Sequence, residues 1–179
     1  MRQDPIVIQP HDPGWAELFA TQKAALEPVL VSWLVAPIEH IGSTSVPGLP
    51  AKPIIDMVAV TDDYTGFAPA LSELQRIGWT HAPEPGDEVE RKWSVCFPTV
   101  EHRTHHLHVV ERNSASWRDW LLFRDYLRTH AEPAEQYAAL RSELAVADRH
   151  DRVRYRSGKA PLIGELMQRA RAWNDNSLT

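Results

Sequence analysis

The segment from residue 39 to residue 60 limits the possible folds of this chain more than any other. It reads EHIGSTSVPGLPAKPIIDMVAV, which is an apolar strand end, a turn of small residues and then a nearly unbroken apolar run. A short apolar run bounded by turn residues is typical of a strand that is buried on both faces. We therefore predict two strands of a central sheet, Ala36 to Ile41 and Ile54 to Val60, joined by a tight turn.

The turn between these strands carries residue types that bind anions. Gly42 lets the backbone bend sharply, and Ser43, Thr44 and Ser45 offer three hydroxyls and three adjacent backbone N–H groups. A turn of this kind can cap a helix or hold a phosphate. Lys52 adds a positive charge in the proline-rich connection that follows the turn.

Asp56 is the charged residue within the second apolar run. A carboxylate is costly to bury unless it pairs with a cation, accepts hydrogen bonds or holds a metal. Two interpretations stay open, a structural pair with Lys52 or the backbone and a functional carboxylate. We favour the functional carboxylate because perturbed charged groups cluster at sites.

A second unusual motif is His105-His106-Leu107-His108, which lies in a predicted strand. Side chains alternate along a strand, so His106 and His108 share one face and His105 points elsewhere. Two imidazoles at this spacing, with Asp56 as third ligand, can chelate a divalent ion. Alternatively, the histidines satisfy hydrogen bonds in the core or contact a substrate without metal. His102 is expected to face solvent.

Positive charge also collects around this motif, although the net charge of the chain is −5. Arg91, Lys92 and Arg103 flank the predicted hairpin, and each of them alone is as compatible with a solvated strand edge as with a site. Their convergence with Lys52 and the turn favours phosphate binding. Lys159 joins them if helix pairing returns it to the sheet. A neighbouring basic group is expected to form a solvated helix face: Arg149, Arg152, Arg154 and Arg156.

Length and composition favour a single domain over residues 1–179, with a core sheet at about 36–110 and helices at about 115–173. The negative net charge argues against bulk binding to nucleic acid or to an anionic membrane. The apolar runs are too short to span a bilayer, and Met1 to Pro10 has no signal-peptide pattern. Cys96 is the sole cysteine, expected as a buried strand thiol, so a reducing cytoplasm is predicted.

Periodic patterns place the remaining elements. An amphipathic helix with Asp12 as N-cap is predicted to end or kink at Pro28. From Ser114 onward the chain is predicted to be helical, with a capping box formed by Ser116 and Asp119. The other predicted elements are a short edge strand at 6–8, a helix at about 67–77, an acidic loop at 81–90, antiparallel strands at 91–97 and 105–110, and helices at 133–147 and 151–173.

Four segments of the sequence together resemble the GrpB family, also called UPF0157. They are EHIGSTSVPGLPAKPIID, RTHHLHVV, WLLFRDYLR and the pair Tyr155-x-x-x-Lys159. The resemblance extends from Ile8-x-Pro10-x-Asp12-x-x-Trp15 to about Trp173. It implies an α+β fold similar to nucleotidyltransferases, with a small mixed β-sheet, helices on one side of it and a C-terminal helical segment.

The resemblance also implies a site. In nucleotidyltransferases a Gly-Ser turn holds the nucleotide phosphates, and two carboxylates one residue apart on the next strand hold magnesium, often with a third on a later strand. Gly42-Ser43 and Asp56 fit this pattern, but Ile54 and Val58 stand where the second carboxylate is expected. The later strand carries His106 and His108 instead. This ligand set suits zinc or manganese better than magnesium.

Three hypotheses follow. The first is a metal-dependent nucleotidyltransferase-type enzyme that uses a nucleoside triphosphate and an unknown acceptor, with Asp56, His106 and His108 as catalytic metal ligands. The second is a protein that binds a nucleotide or a phosphorylated metabolite without turnover. The third is a His/Asp metal enzyme of other chemistry. In each of them the partner is a small molecule, and the expected cofactor is Mg²⁺ or Mn²⁺, with Zn²⁺ as the alternative.

Overall fold

The structure is a computed structural model that describes residues 5–177. It consists of one mixed five-stranded sheet and five α-helices. Along the chain these are α1 (Gly14–Leu30), β1 (Glu39–Ile41), β2 (Ile55–Thr61), α2 (Ala70–Arg76), β3 (Thr80–His81), β4 (Lys92–Pro98), β5 (Arg103–Glu111), α3 (Ala115–Thr129), α4 (Ala131–Ala147) and α5 (Arg152–Ser177).

The strand order is β1-β2-β5-β4-β3, and β2 runs parallel to β5 while the other neighbours are antiparallel. The two strands that carry the unusual polar residues are therefore central neighbours. The prediction of a first central strand from Ala36 was wrong, because β1 is a three-residue edge strand. Pro37 lacks the N–H group that a longer ladder would need.

The central strands are buried on both faces, as the apolar run predicted. Ile55, Met57 and Ala59 of β2 belong to a core that also contains side chains of α1 and α2. Val58 and Val60 face the opposite way and pack against α3, which brings Trp117 and Trp120 to that face. Helices thus cover both faces of the sheet, whereas the family resemblance implied helices on one side only.

Helices α3, α4 and α5 pack on one another and on the connection between β1 and β2. Val46 and Leu49 of this connection are buried among residues of the three helices. Arginine side chains hold its backbone, because Arg128 Nη2 donates to the Ser45 carbonyl at 2.8 Å and Arg141 Nη1 donates to the Pro50 carbonyl at 2.8 Å. These contacts fix the C-terminal helices relative to the turn.

Several local predictions differ from the structure. The segment predicted as an edge strand at 6–8 instead sends the Ile6 N–H to the Arg149 carbonyl, and a single bridge forms at Gln9. The capping box at Ser116 does not form, because α3 begins earlier and Asp119 pairs with Arg171. Helix α1 continues past Pro28 to Leu30, so it does not end at this proline.

No helix within residues 5–177 is long and apolar enough to cross a membrane.

Candidate functional site

Asp56, His106 and His108 come together on one face of the sheet. Asp56 on β2 lies beside His106 on the parallel strand β5, and His108 is two residues further along the same face. One potential ligand atom of each residue lies within 4.8 Å of those of the other two. Strand alternation predicted that the two histidines share a face, and the parallel pairing of β2 with β5 adds the carboxylate.

The carboxylate of Asp56 is bonded to His106, whose Nδ1 lies 3.1 Å from Asp56 Oδ1. An ionised carboxylate only accepts hydrogen bonds, so Nδ1 of His106 carries the proton and donates it. In the neutral imidazole, Nε2 of His106 then keeps a lone pair. About a third of the Asp56 side chain, 34%, remains accessible, so this carboxylate also faces the space above the sheet.

The electrostatics of the site keep Asp56 ionised. Desolvation in the cleft would raise its pKa, but the hydrogen bond from His106 and the electrostatic interactions with His106, His108 and Lys159 outweigh it, so the pKa lies below its ordinary value. Burial lowers the pKa of His108, although the Asp56 charge partly opposes this. An ionised carboxylate beside neutral imidazole is the protonation state that metal ligands require.

Two ring nitrogens of this cluster, Nε2 of His106 and Nδ1 of His108, are buried and have no hydrogen-bond partner within residues 5–177. Buried polar atoms in native proteins are nearly always satisfied, so unpaired nitrogens next to a carboxylate fit a metal. Ile54 and Val58 on either side of Asp56 add no oxygen ligand. Two nitrogens and one carboxylate suit Mn²⁺ or Zn²⁺ better than Mg²⁺.

Gly42 allows the turn to reach this carboxylate. Its φ is +69° and its ψ is −172°, a backbone conformation that residues with a Cβ atom rarely adopt. A Cβ atom on Gly42 would lie 2.7 Å from Asp56 Oδ2. The absence of a side chain therefore lets the backbone of the turn lie close to the Asp56 carboxylate.

The hydroxyl groups of the turn differ in their hydrogen-bond partners. Ser45 Oγ donates to the Gly42 carbonyl at 2.5 Å, and Thr44 Oγ1 lies 3.0 Å from His40 Nε2. Burial lowers the pKa of His40 to about 4, so its ring is neutral. Ser43 and Thr44 line the cleft described below, whereas Ser45 is buried away from it. The predicted contact of Ser45 with phosphate is therefore wrong, because its hydroxyl closes the turn.

Two connected spaces meet at Asp56 and His108. The first, which we call the basic lobe, has a volume of about 490 Å³ and lies between the turn, the 83–85 loop and helices α4 and α5. The second, which we call the apolar lobe, has a volume of about 570 Å³ and lies between the sheet and helices α3 and α5. Six cationic side chains line the basic lobe: Lys52, Arg103, Arg141, Arg152, Arg156 and Lys159.

Two of these cations contact the ring of Tyr155. Its ring is buried, and the ammonium groups of Lys52 and Lys159 lie 4.6 Å and 4.7 Å from its centre. Burial lowers the pKa of Lys159 to about 8, with help from the charges of Arg141 and Arg156 and against the opposing effect of Asp56. Lys159 therefore returns to the sheet, which the sequence left as a conditional prediction.

Two predicted phosphate contacts, Arg91 and Lys92, are paired with carboxylates. Arg91 is exposed and forms a bidentate pair with Glu111, at 2.7 Å and 2.8 Å, away from both lobes. Lys92 borders the apolar lobe, but its ammonium is 3.2 Å from both Asp87 and Glu90. The structure thus places Arg91 outside the cleft, whereas a phosphate contact of Lys92 stays a prediction. The carboxylate partners come from a neighbouring strand and from the 81–90 loop, which local spacing does not reveal.

Sequence reasoning also missed three cations of the basic lobe. Arg152 and Arg156 were assigned to a solvated face, but they line the lobe together with Lys159. Their spacing of four and then three residues marks one helix face, and this was the available signal. No local sequence pattern marked Arg141 on α4 as part of the site.

Two further histidines lie outside the cluster. His105 packs against Trp79 on the opposite face of the sheet, and His102 is exposed, as predicted.

Comparison with known proteins places the chain in a family. A sequence profile of the GrpB protein family matches residues 5–169. The chain belongs to the GrpB family. A UPF0157 protein of Pseudomonas aeruginosa is 35% identical over 170 residues, which are 94% of this chain and 69% of that protein. The resemblance seen in the sequence is thereby confirmed.

Solved structures agree with this assignment. The crystal structure of the conserved protein GrpB from Enterococcus faecalis matches with a TM-score of 0.82 and 30% identity, covering 93% of this chain and 99% of that one. The Cid1 poly(U) polymerase with Mg and 3′-dATP bound matches with a TM-score of 0.51 and 15% identity, covering 77% of this chain and 43% of that one. This GrpB chain therefore has a nucleotidyltransferase-like fold.

Proposed function

We propose that this GrpB protein is a metal-dependent nucleotidyltransferase-type enzyme that binds a nucleoside triphosphate and transfers its nucleotidyl group to an acceptor. The observation that carries the proposal is the convergence, around one cleft, of the Gly42-Ser43 turn, the Asp56, His106 and His108 cluster, and six cations. An acidic chain that gathers its cations in one cleft provides a local site for a polyanion.

The fold supports this proposal through the position of the turn. The Cid1 structures with a similar fold include one with Mg and 3′-dATP bound and one with the product ApU. In this chain the Gly42-Ser43 turn precedes β2, which carries Asp56, and this order fits the pattern that the family resemblance implied. We infer that the phosphates lie on the Ser43 side of the basic lobe.

Each group has a role that follows from its chemistry. Ser43 and the backbone N–H groups of the turn would bind phosphate oxygens, while Lys52 and Lys159 would neutralise their charge. Asp56, His106 and His108 would hold the divalent ion. When bound, that ion supplies positive charge that stabilises phosphate oxygens as a bond at the α-phosphorus forms. The protein contributes mainly by positioning and electrostatics.

A second candidate is a protein that binds nucleotides without turnover. The residues two positions before and after Asp56 favour this candidate. They are Ile54 and Val58, which cannot supply the second acidic ligand of two-metal catalysis. The two candidates share the binding site and differ in whether pyrophosphate is released.

The experiment that tests the proposal is calorimetric titration with ATP and UTP, with and without Mg²⁺, Mn²⁺ or Zn²⁺, followed by an assay for pyrophosphate. We expect micromolar affinity that requires both metal and Asp56, since the carboxylate anchors the ion. Asp56→Ala should weaken binding at least about tenfold, because one ligand of three is lost. Asp62→Ala is the matched control, since Asp62 is exposed and pairs with Arg112.

The outcomes separate the candidates. Metal-dependent binding with pyrophosphate release supports the enzyme. Binding without release in a broad screen of acceptors supports the nucleotide-binding protein. Binding that is independent of metal and of Asp56 also favours the nucleotide-binding protein, whereas no binding of either nucleotide contradicts both assignments of this cleft.

A further inference from the structure

The apolar lobe provides a second binding space next to the proposed nucleotide site. We propose that it binds the acceptor, and that the acceptor is a small molecule with an apolar body that is uncharged or cationic, rather than a nucleic-acid strand. This inference rests on the proposed function. It is drawn from the lining of the lobe, from its charge and from the geometry of the transfer step.

The lining of the lobe is mostly apolar and partly aromatic. Trp120 packs against His108 with ring centres 5.4 Å apart, and Phe123 packs edge-to-face against Tyr137 at the same distance. Both rings are only partly buried, so they present surface to the space between the sheet and the helices. The other apolar residues around it are Ile41, Val46, Leu127, Ile163 and Met167.

Arg156 and Lys159 line the end that this lobe shares with the basic lobe, and carboxylates pair with the two cations in the rest of its lining. Arg124 lies 2.8 Å from Glu39 and 2.7 Å from Asp125, and Lys92 is held by two carboxylates. Asp119 adds a further carboxylate, which pairs with Arg171. A nucleic-acid strand gains much of its affinity from unneutralised cations on its phosphates. This lining therefore suits an acceptor without a phosphate backbone.

The geometry of the transfer step also favours the apolar lobe as the place of the acceptor. An acceptor hydroxyl oxygen or amine nitrogen forms a bond to the α-phosphorus, the bond to the bridging oxygen breaks, and its electron pair leaves on pyrophosphate. The acceptor proton passes to solvent. Attacking and leaving atoms lie roughly in line. If pyrophosphate occupies the basic lobe, the acceptor approaches from the opposite side of Asp56 and His108, where the apolar lobe begins.

Ligand-observed NMR with phenylpropanol and phenylpropylamine as probes tests this inference, with a uridine trinucleotide as competitor. We expect both probes to bind wild type, to remain bound when ATP and Mn²⁺ are added, and to ignore the trinucleotide. Phe123→Ala should weaken probe binding about fivefold through loss of the ring contact. Val146→Ala, an exposed site outside both lobes, is the control.

Three results overturn the inference: no probe binding, displacement of the probes by ATP, which would place the nucleobase in this lobe, or competition by the trinucleotide. All three measurements need only the wild-type protein, so an unstable variant does not prevent the test. ATP binding is recorded in the same samples. Probe binding without ATP binding instead contradicts the proposed function and, with it, the acceptor role.

Discussion

At the scale of single residues, Gly42 lets the turn lie close to the Asp56 carboxylate. Its backbone conformation and the short distance to Asp56 exclude a side chain for two independent reasons. Gly48 shares only the first reason, because its φ is +79° and nothing lies within 4 Å of a Cβ placed there. The two glycines therefore allow backbone strain to be separated from damage to the site.

We predict that Gly42→Ala lowers the free energy of unfolding by about 2–4 kcal/mol, through strain and contact with Asp56, and abolishes metal binding. Gly48→Ala should cost about 1–2 kcal/mol but retain the metal. Chemical denaturation and a Mn²⁺ titration measure both effects. Retention of full metal affinity by Gly42→Ala would show that the turn does not position Asp56.

Lys159 carries a cost in stability that its proposed role explains. Its folded pKa of about 8 lies below the ordinary Lys value of 10.5, so the folded protein holds this proton less tightly than the unfolded chain does. The charged lysine is therefore destabilising below pH 8. The penalty declines as the pH rises from 8 towards 10.5, because the folded state then releases the proton.

We predict that Lys159→Met raises the free energy of unfolding at pH 7 by about 1–2 kcal/mol, a gain that shrinks towards pH 10. The same change should weaken nucleoside triphosphate binding about tenfold, since a cation that faces the phosphates is lost. Thermal unfolding at several pH values and calorimetry provide the two readouts. Lys23→Met, at an i,i+4 surface pair with Glu27, is the control. Stabilisation that does not vary with pH would contradict this account.

At the scale of elements, helix α5 supplies one wall of the basic lobe. Arg152, Arg156 and Lys159 line the lobe, whereas Arg154 points away and pairs with Asp148 at 3.4 Å. The helix is held in place by its packing on α3 and α4 and by Leu166, which is fully buried. Neighbouring arginines on one helix thus have different environments.

We predict that Arg156→Ala weakens nucleoside triphosphate binding about three- to tenfold and reduces its dependence on salt, because one cation near the phosphates is removed. Arg154→Ala should change the affinity less than about twofold, since the exposed Arg154 side chain lies outside the lobe and pairs with Asp148. Titrations at low and high ionic strength make the comparison. Equal effects of the two variants would indicate that α5 contributes only net charge.

The elements differ in how far the sequence could predict them. The apolar run from Ile54 to Val60 predicts a strand that is buried on both faces. The alternation of side chains along the predicted strand from His105 to Val110 predicts the shared face of His106 and His108. The register between β2 and β5 depends on contacts distant in sequence. Whether the Arg152, Arg156 and Lys159 face meets solvent or a cleft also depends on how α5 packs, and periodicity does not contain that information.

At the scale of the whole molecule, charge is distributed unevenly. The chain has a net charge of −5, yet six cations line one lobe, whereas carboxylates pair with Lys92 and Arg124 in the lining of the other. Composition predicted that an anionic ligand needs a local basic cluster. It could not predict which cations form that cluster, because Arg91 is paired by Glu111 across the sheet and Arg141 reaches the cleft from α4.

The central claim is that one metal ion connects the sheet to the phosphates of a nucleotide. Pulsed electron paramagnetic resonance of Mn²⁺ bound together with ATP tests it directly. We predict that one Mn²⁺ signal shows nitrogen coupling from coordinated histidine and phosphorus coupling from the nucleotide, and that the nitrogen coupling is absent in a His106→Ala, His108→Ala double variant. Phosphorus coupling without nitrogen coupling in the wild-type protein would contradict the account, because the ion would then be held by the nucleotide away from this site.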